Sequence, residues 1–101
     1  MFKGTTPTHT FEVEDIDTSS IKEVKIIYSQ KDREILEKKT KECTIQDGKI
    51  STKLSQEDTF KFESNTLVSI QIRVLTKGGD ALISDLIMTG VGKCLDDEVL
   101  V

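Results

Sequence analysis

The chain has no tryptophan, one tyrosine, one histidine, one proline and two cysteines. Each scarcity removes a class of chemistry. One imidazole and no Cys-x-x-Cys leave zinc binding and thiol redox chemistry without a ligand set, and no cofactor is expected. Few aromatic residues and a net charge of -4 argue against stacking bases or holding phosphate backbones, so no nucleic-acid partner is expected. No apolar run approaches the ~20 residues of a membrane span, and none near the start has the length of a signal-peptide core. The expectation is a chain with no membrane partner that is cytoplasmic when synthesised. Without an export signal, Cys43 and Cys94 are expected as reduced thiols rather than a bridge.

What remains is alternation. The 101 residues suit one domain, 1–101, able to bury a single core without metals or disulfides. In "LVSIQIRVLTKGGDALISDLIMTGV", Val68, Ile70, Ile72 and Val74 share one parity while Ser69, Gln71 and Arg73 share the other, the period of a half-buried strand. Lys77, Gly78, Gly79 and Asp80 supply a turn, and "ALISDLIMTGV" reads as a second β run with a looser alternation. "CTIQ" and "KISTKL" form another hairpin about Asp47-Gly48, a pair suited to a type I′ turn, with Cys43, Ile45, Ile50, Thr52 and Leu54 on one parity.

Upstream, "THTFEV" predicts a strand with Phe11 and Val13 inward. "IKEVKIIYSQ" predicts one with Val24, Ile26 and Tyr28 inward, leaving Ile27 on the opposite face for a neighbour or partner to cover. "KDREILEKKTKE" has helix-forming residues but too thin an apolar stripe, and reads as a polar edge strand whose lysines discourage stray pairing. Ser55 before Gln56, Glu57 and Asp58 predicts a capped single turn leading into a short strand at Phe60 and Phe62. The count is about seven short strands at the spacing of a sandwich. The expected fold is all-β, an immunoglobulin-like β-sandwich, though without the tryptophan and cysteine pair of antibody domains.

Candidate reactive groups are few. His9, two residues from Phe11, points by parity to the apolar face and reads as a packed or edge histidine. An enzyme would have to bring it beside Cys43 or Cys94. Glu12, Glu14, Asp15 and Asp17 form one acidic cluster and Asp96, Asp97 and Glu98 another, neither in the order of a calcium loop. No serine stands in a Gly-x-Ser-x-Gly setting, and the glycines open no phosphate-cradling helix. A carbohydrate or surface-binding module would need exposed aromatics, and the five present are needed mostly for the core.

The last residues, "KCLDDEVLV", follow two glycines and are expected as a tail over residues 92–101. Leu95, Val99 and Leu100 on this segment, with Ile27, are the expected interaction residues, the tail docking on another subunit by adding a strand. "LSQEDTFKFESNTLVSIQIRVLTKGGDALISDLIMTGVGKCLDDEVL" resembles small proteins encoded in prophage and mobile-element regions of Gram-positive, clostridia-like bacteria. A T-x-x-F run (Thr59 to Phe62), an IQ-x-R strand (Ile70 to Arg73), a turn and a closing LDDEVL carry the resemblance. It implies a phage structural or assembly role, in a phage particle, with no catalytic residues. The combined expectation is a non-enzymatic structural or protein-interaction module whose partner is another protein or a second copy.

Overall fold

Two alternating runs become the two central strands of the larger sheet. A computed structural model describes residues 1–101. In it β2 (Ile21–Gln30) buries Val24, Ile26 and Tyr28, and β6 (Val68–Thr76) buries Val68, Ile70, Ile72 and Val74. The strands pair antiparallel with Val24 opposite Val74, Ile26 opposite Ile72 and Tyr28 opposite Ile70. Burial of each such side chain contributes on the order of 1.5–3 kcal/mol, so the alternation alone fixes which face turns inward.

β3 (Arg33–Lys39) pairs with β2 and forms the polar edge that its lysines predict. The turn between them uses Lys31 and Asp32 at φ 51° and 61°, the backbone of a type I′ hairpin. On the other side of β6 lie β7 (Ala81–Ile83) and β8 (Ile87–Thr89), giving a five-stranded sheet. The smaller sheet has the order β1 (Thr8–Glu12), β5 (Lys49–Lys53), β4 (Cys43–Gln46), all antiparallel. Its β4–β5 turn sits at Asp47 and Gly48 with both φ angles positive, as the Asp-Gly pair predicts.

Ile50, Leu54 and Phe62 complete the core from the smaller sheet and the segment after it, with Phe11, Val13, Cys43 and Ile45 packed at its margin. The whole is all-β with two antiparallel sheets and eight strands. The eighth strand corrects the expected seven. The run after the Gly-Gly turn is cut by a bulge: Arg73 faces Ile83 and Ile70 faces Ile87, so Gln71 and Ile72 stand against three residues, Ser84, Asp85 and Leu86. Ser84 holds the bulge closed. Its N–H donates to the Ile72 carbonyl at 2.9 Å, its Oγ accepts the Ile72 N–H at 2.9 Å, and its own carbonyl accepts from Gln71 Nε2 at 3.2 Å.

The segment at Ser55 corrects a second expectation. Ser55 caps α1 (Gln56–Phe60), accepting the Asp58 N–H at 3.0 Å while the Asp58 carboxylate accepts the Ser55 N–H at 2.9 Å. The capped turn is as predicted, but Phe60 is its last helical residue and Phe62 lies in the turn beyond it, so no strand forms there. Phe62 still reaches the core because Gln30, buried at the end of β2, grips the connecting loop. Its side chain accepts the Glu63 N–H at 2.8 Å and donates to the carbonyls of Glu63 and Thr66 at 2.9 and 3.2 Å.

Candidate interaction surface

The neighbours of the single imidazole decide what chemistry it can do. His9 on β1 and Cys43 on β4 both stand opposite Thr52 on β5, so a whole strand separates them, roughly 10 Å across two strand spacings. The His9 Nδ1 is instead engaged by the Tyr28 hydroxyl at 2.7 Å. Burial, then the positive charge of the amino terminus, holds the His9 pKa below its ordinary value. Burial also raises the Tyr28 pKa, with the charges of Cys43 and Asp58 adding to it. Burial raises the Cys43 thiol as well; a hydrogen bond to Thr52 opposes it, Glu42 reinforces it, and Lys38 opposes it again. A thiol held protonated, with no base beside it, is not an activated nucleophile. Cys94 is a second free thiol, placed near Gly4 and Phe60.

The chemistry that the fold does assemble lies on the outer face of the five-stranded sheet. Register brings Lys39 opposite Lys25, Lys25 opposite Arg73, and Arg73 opposite Ile83, one residue from each of four neighbouring strands. Three cations therefore stand in a single row about 10 Å long, ending on an exposed isoleucine. Like charges placed directly opposite each other cost a sheet stability. Glu37 relieves part of this, with its carboxylate 3.4 Å from Lys25 Nζ and 3.6 Å from Lys39 Nζ. Arg73, Lys22 and Lys41 make no ion pair. Lys22 and Lys41 join the row at an open concavity of about 940 Å³ that is also lined by Leu75, Ala81 and the acidic residues Glu23 and Glu42.

Beside the cations runs an apolar column. Ala81 stands opposite Leu75, Ile83 opposite Arg73 and Met88 opposite Ser69, all on the outer face. Ile83 is 62% exposed, Met88 52%, and Leu86 in the bulge 60%. Leu82 and Ile87 have the inward parity, opposite Val74 and Ile70, yet both are exposed where they lie at the sheet's edge. Large exposed apolar side chains thus cluster on one edge strand beside the unpaired Arg73.

The four residues expected to carry interaction distribute differently. Ile27 does lie on the outer face, but it is half-buried between Glu37 and Gln71. Leu95 is 94% exposed. Val99 is half-buried in a small hollow with Thr6, Lys53 and Leu54. Leu100 keeps its side chain in solvent while Gln56 clamps its backbone, donating to its carbonyl and accepting its N–H, both at 2.8 Å. The final segment is thus tied back at Leu100, and at Gly92, whose N–H donates to the Met1 carbonyl and whose carbonyl accepts the Lys3 N–H. It forms no strand beyond the parallel bridge of Gly92 with Phe2.

Ile83, Leu86 and Met88 escape strand-pattern reading because the bulge breaks the parity between Leu82 and Ile87. The one available signal is the loose alternation of "ALISDLIM" itself. Comparison with protein-family models, with curated proteins and with solved structures finds no match to the chain.

Proposed function

We propose that this protein is a non-enzymatic protein-interaction module, an immunoglobulin-like sandwich that works through the outer face of its five-stranded sheet. The row Lys39, Lys25, Arg73, Ile83 carries the reading, since it sets charges side by side at a cost to the sheet and leaves Arg73 unpaired next to exposed apolar residues. The strand pairings support the fold assignment. β1, β5 and β4 take the places of strands B, E and D, while β3, β2, β6 and the bulged β7–β8 take those of C′, C, F and G. No strand A is present, and Met1 to Lys3 lie instead against Gly92.

The resemblance to prophage-encoded proteins adds an assembly role in a phage particle as the biological setting. The engaged state of His9 and its separation from Cys43 speak against the enzymatic alternative.

The deciding measurement is solution mass by light scattering over a wide concentration range under reducing conditions, on the natural chain and on Arg73→Glu and Ile83→Asp. Association that weakens in both folded variants carries the reading. Association indifferent to both ends it.

A further inference from the structure

The same chain carries a surface of opposite character. Leu95, Asp96, Asp97 and Glu98 are all exposed, and the Glu98 N–H closes a turn on Asp96 Oδ1 at 2.9 Å. The bonds at Gly92 and at Leu100 hold this turn at both ends. It therefore projects from the body as a preformed element, and little conformational entropy remains to be lost when it binds. Its three acidic residues are consecutive, their Cα atoms spanning at most about 7 Å, against cations set one strand spacing, about 5 Å, apart. Its one apolar residue, Leu95, is almost fully in solvent.

We infer that the Leu95–Glu98 turn of one copy docks on the outer sheet face of a second copy, its carboxylates against Arg73, Lys25 and Lys22 and Leu95 against Ile83. This deepens the interaction-face reading and rests on it. Charge complementarity selects the occupant. The face presents Arg73 and Lys22 without ion pairs, and Lys25 sharing one carboxylate, Glu37, with Lys39, in a chain whose net charge is -4; the turn presents three adjacent anions, Asp96, Asp97 and Glu98, that take part in no ion pair and stand beside the exposed Leu95. The contact joins two different patches, so exchanged reciprocally between two copies it closes a two-fold dimer, and repeated from copy to copy it generates a ring or a filament.

Two variants separate this from other modes of association. One loses the turn (Leu95→Ser, Asp96→Ser, Asp97→Ser) and the other loses the face (Arg73→Glu, Ile83→Asp). All five positions are exposed, so both variants keep the fold, which circular dichroism melts check. The natural chain is expected to associate with concentration, and to do so roughly tenfold more weakly at high salt or in either variant. Each variant alone is then monomeric at concentrations where the natural chain is not, and an equimolar mixture gives a discrete 1:1 dimer, since one copy retains the only working face and the other the only working turn.

A natural chain that is strictly monomeric up to millimolar concentration overturns the inference. So does a mixture of the two variants that fails to dimerise. Association abolished by the face variant but untouched by the turn variant overturns the turn as occupant and leaves the interaction face standing. Association untouched by either variant removes both.

Discussion

Lys38 Nζ, on the edge strand β3, lies 2.8 Å from Asp58 Oδ2, at the third position of α1. Their side chains are 10% and 13% exposed, so the single α-helix of the protein is fastened to the larger sheet by a nearly dry ion pair. Burial alone pulls the Lys38 pKa down, but the hydrogen bond and charge of Asp58, then those of Glu42, outweigh it and leave Lys38 above its ordinary value. Burial likewise pushes Asp58 up, and Lys38 together with the Ser55 N–H outweighs it and holds Asp58 below the usual carboxylate range. The pair also completes the helix cap, because the same Asp58 oxygen accepts the Ser55 N–H.

Lys38→Met strands the Asp58 carboxylate in a dry site and is expected to cost about 3–5 kcal/mol. Adding Asp58→Asn on that background removes the stranded charge and recovers part of the loss. Urea denaturation of the natural chain and the two variants measures both steps.

The sign of the pH dependence follows from the same pair. Asp58 is more acidic folded than unfolded, so its contribution is complete above the unfolded value near 3.8 and drains away as pH falls through the folded one. Lys38 is more basic folded than unfolded, so its contribution is complete below about 10.5 and is lost as pH rises through the folded value. Urea midpoints from pH 2 to 5 should drop in the natural chain more steeply than in a Lys38→Met, Asp58→Asn double variant.

His9 titrates in a separate window. Its folded pKa lies below 6.5, so between that folded value and 6.5 the unfolded chain binds more protons, and stability rises with pH across the interval. A His9→Gln variant keeps a partner for the Tyr28 hydroxyl and should flatten the slope between pH 5 and 7.5. An unchanged slope there would assign the dependence to another group.

Gln30 satisfies three backbone groups of the loop at Glu63 to Thr66 from a buried position. Gln30→Leu leaves those groups without their partner and is expected to cost about 2–3 kcal/mol. Amide exchange of residues 61–67 should quicken, while that of the β4–β5 hairpin should not.

The β2–β3 turn places Lys31 and Asp32 in the left-handed region without a glycine. Lys31→Asn with Asp32→Gly suits that backbone and is expected to raise stability by roughly 0.5–1.5 kcal/mol. The ion pair of Lys31 with Glu63, which this removes, is exposed on both sides and contributes little. Thermal melts measure the gain.

How far the sequence was legible can be judged strand by strand. Val24, Ile26 and Tyr28, and Val68 through Val74, announce their inward faces because one buried side gives strict alternation, and Asp47-Gly48 announces its turn because few pairs accept two positive φ angles. Lys38 stays hidden, since a pattern reading sends lysine outward and its partner Asp58 lies on another element. Phe62 misleads because its burial is secured by Gln30 through a loop rather than by a ladder. The cation row is illegible in principle from one strand at a time, since Lys39, Lys25 and Arg73 meet only once two registers are set. The turn at Leu95 to Glu98 was visible as an acidic and apolar run, but its restraint by Gln56 and by Met1 and Lys3 was not.

The pairing of β1 with β5 has a kinetic consequence. β4 with β5 and β2 with β3 are hairpins that close over a few residues, whereas Thr8 to Glu12 must wait for partners about forty positions later. During synthesis β1 leaves the ribosome first and finds its partner only once β5 has emerged, so Phe11 and the His9–Tyr28 contact follow the two hairpins in folding. Until then one side of β5 stays open, and the protein spends its earliest moments with an unfinished smaller sheet.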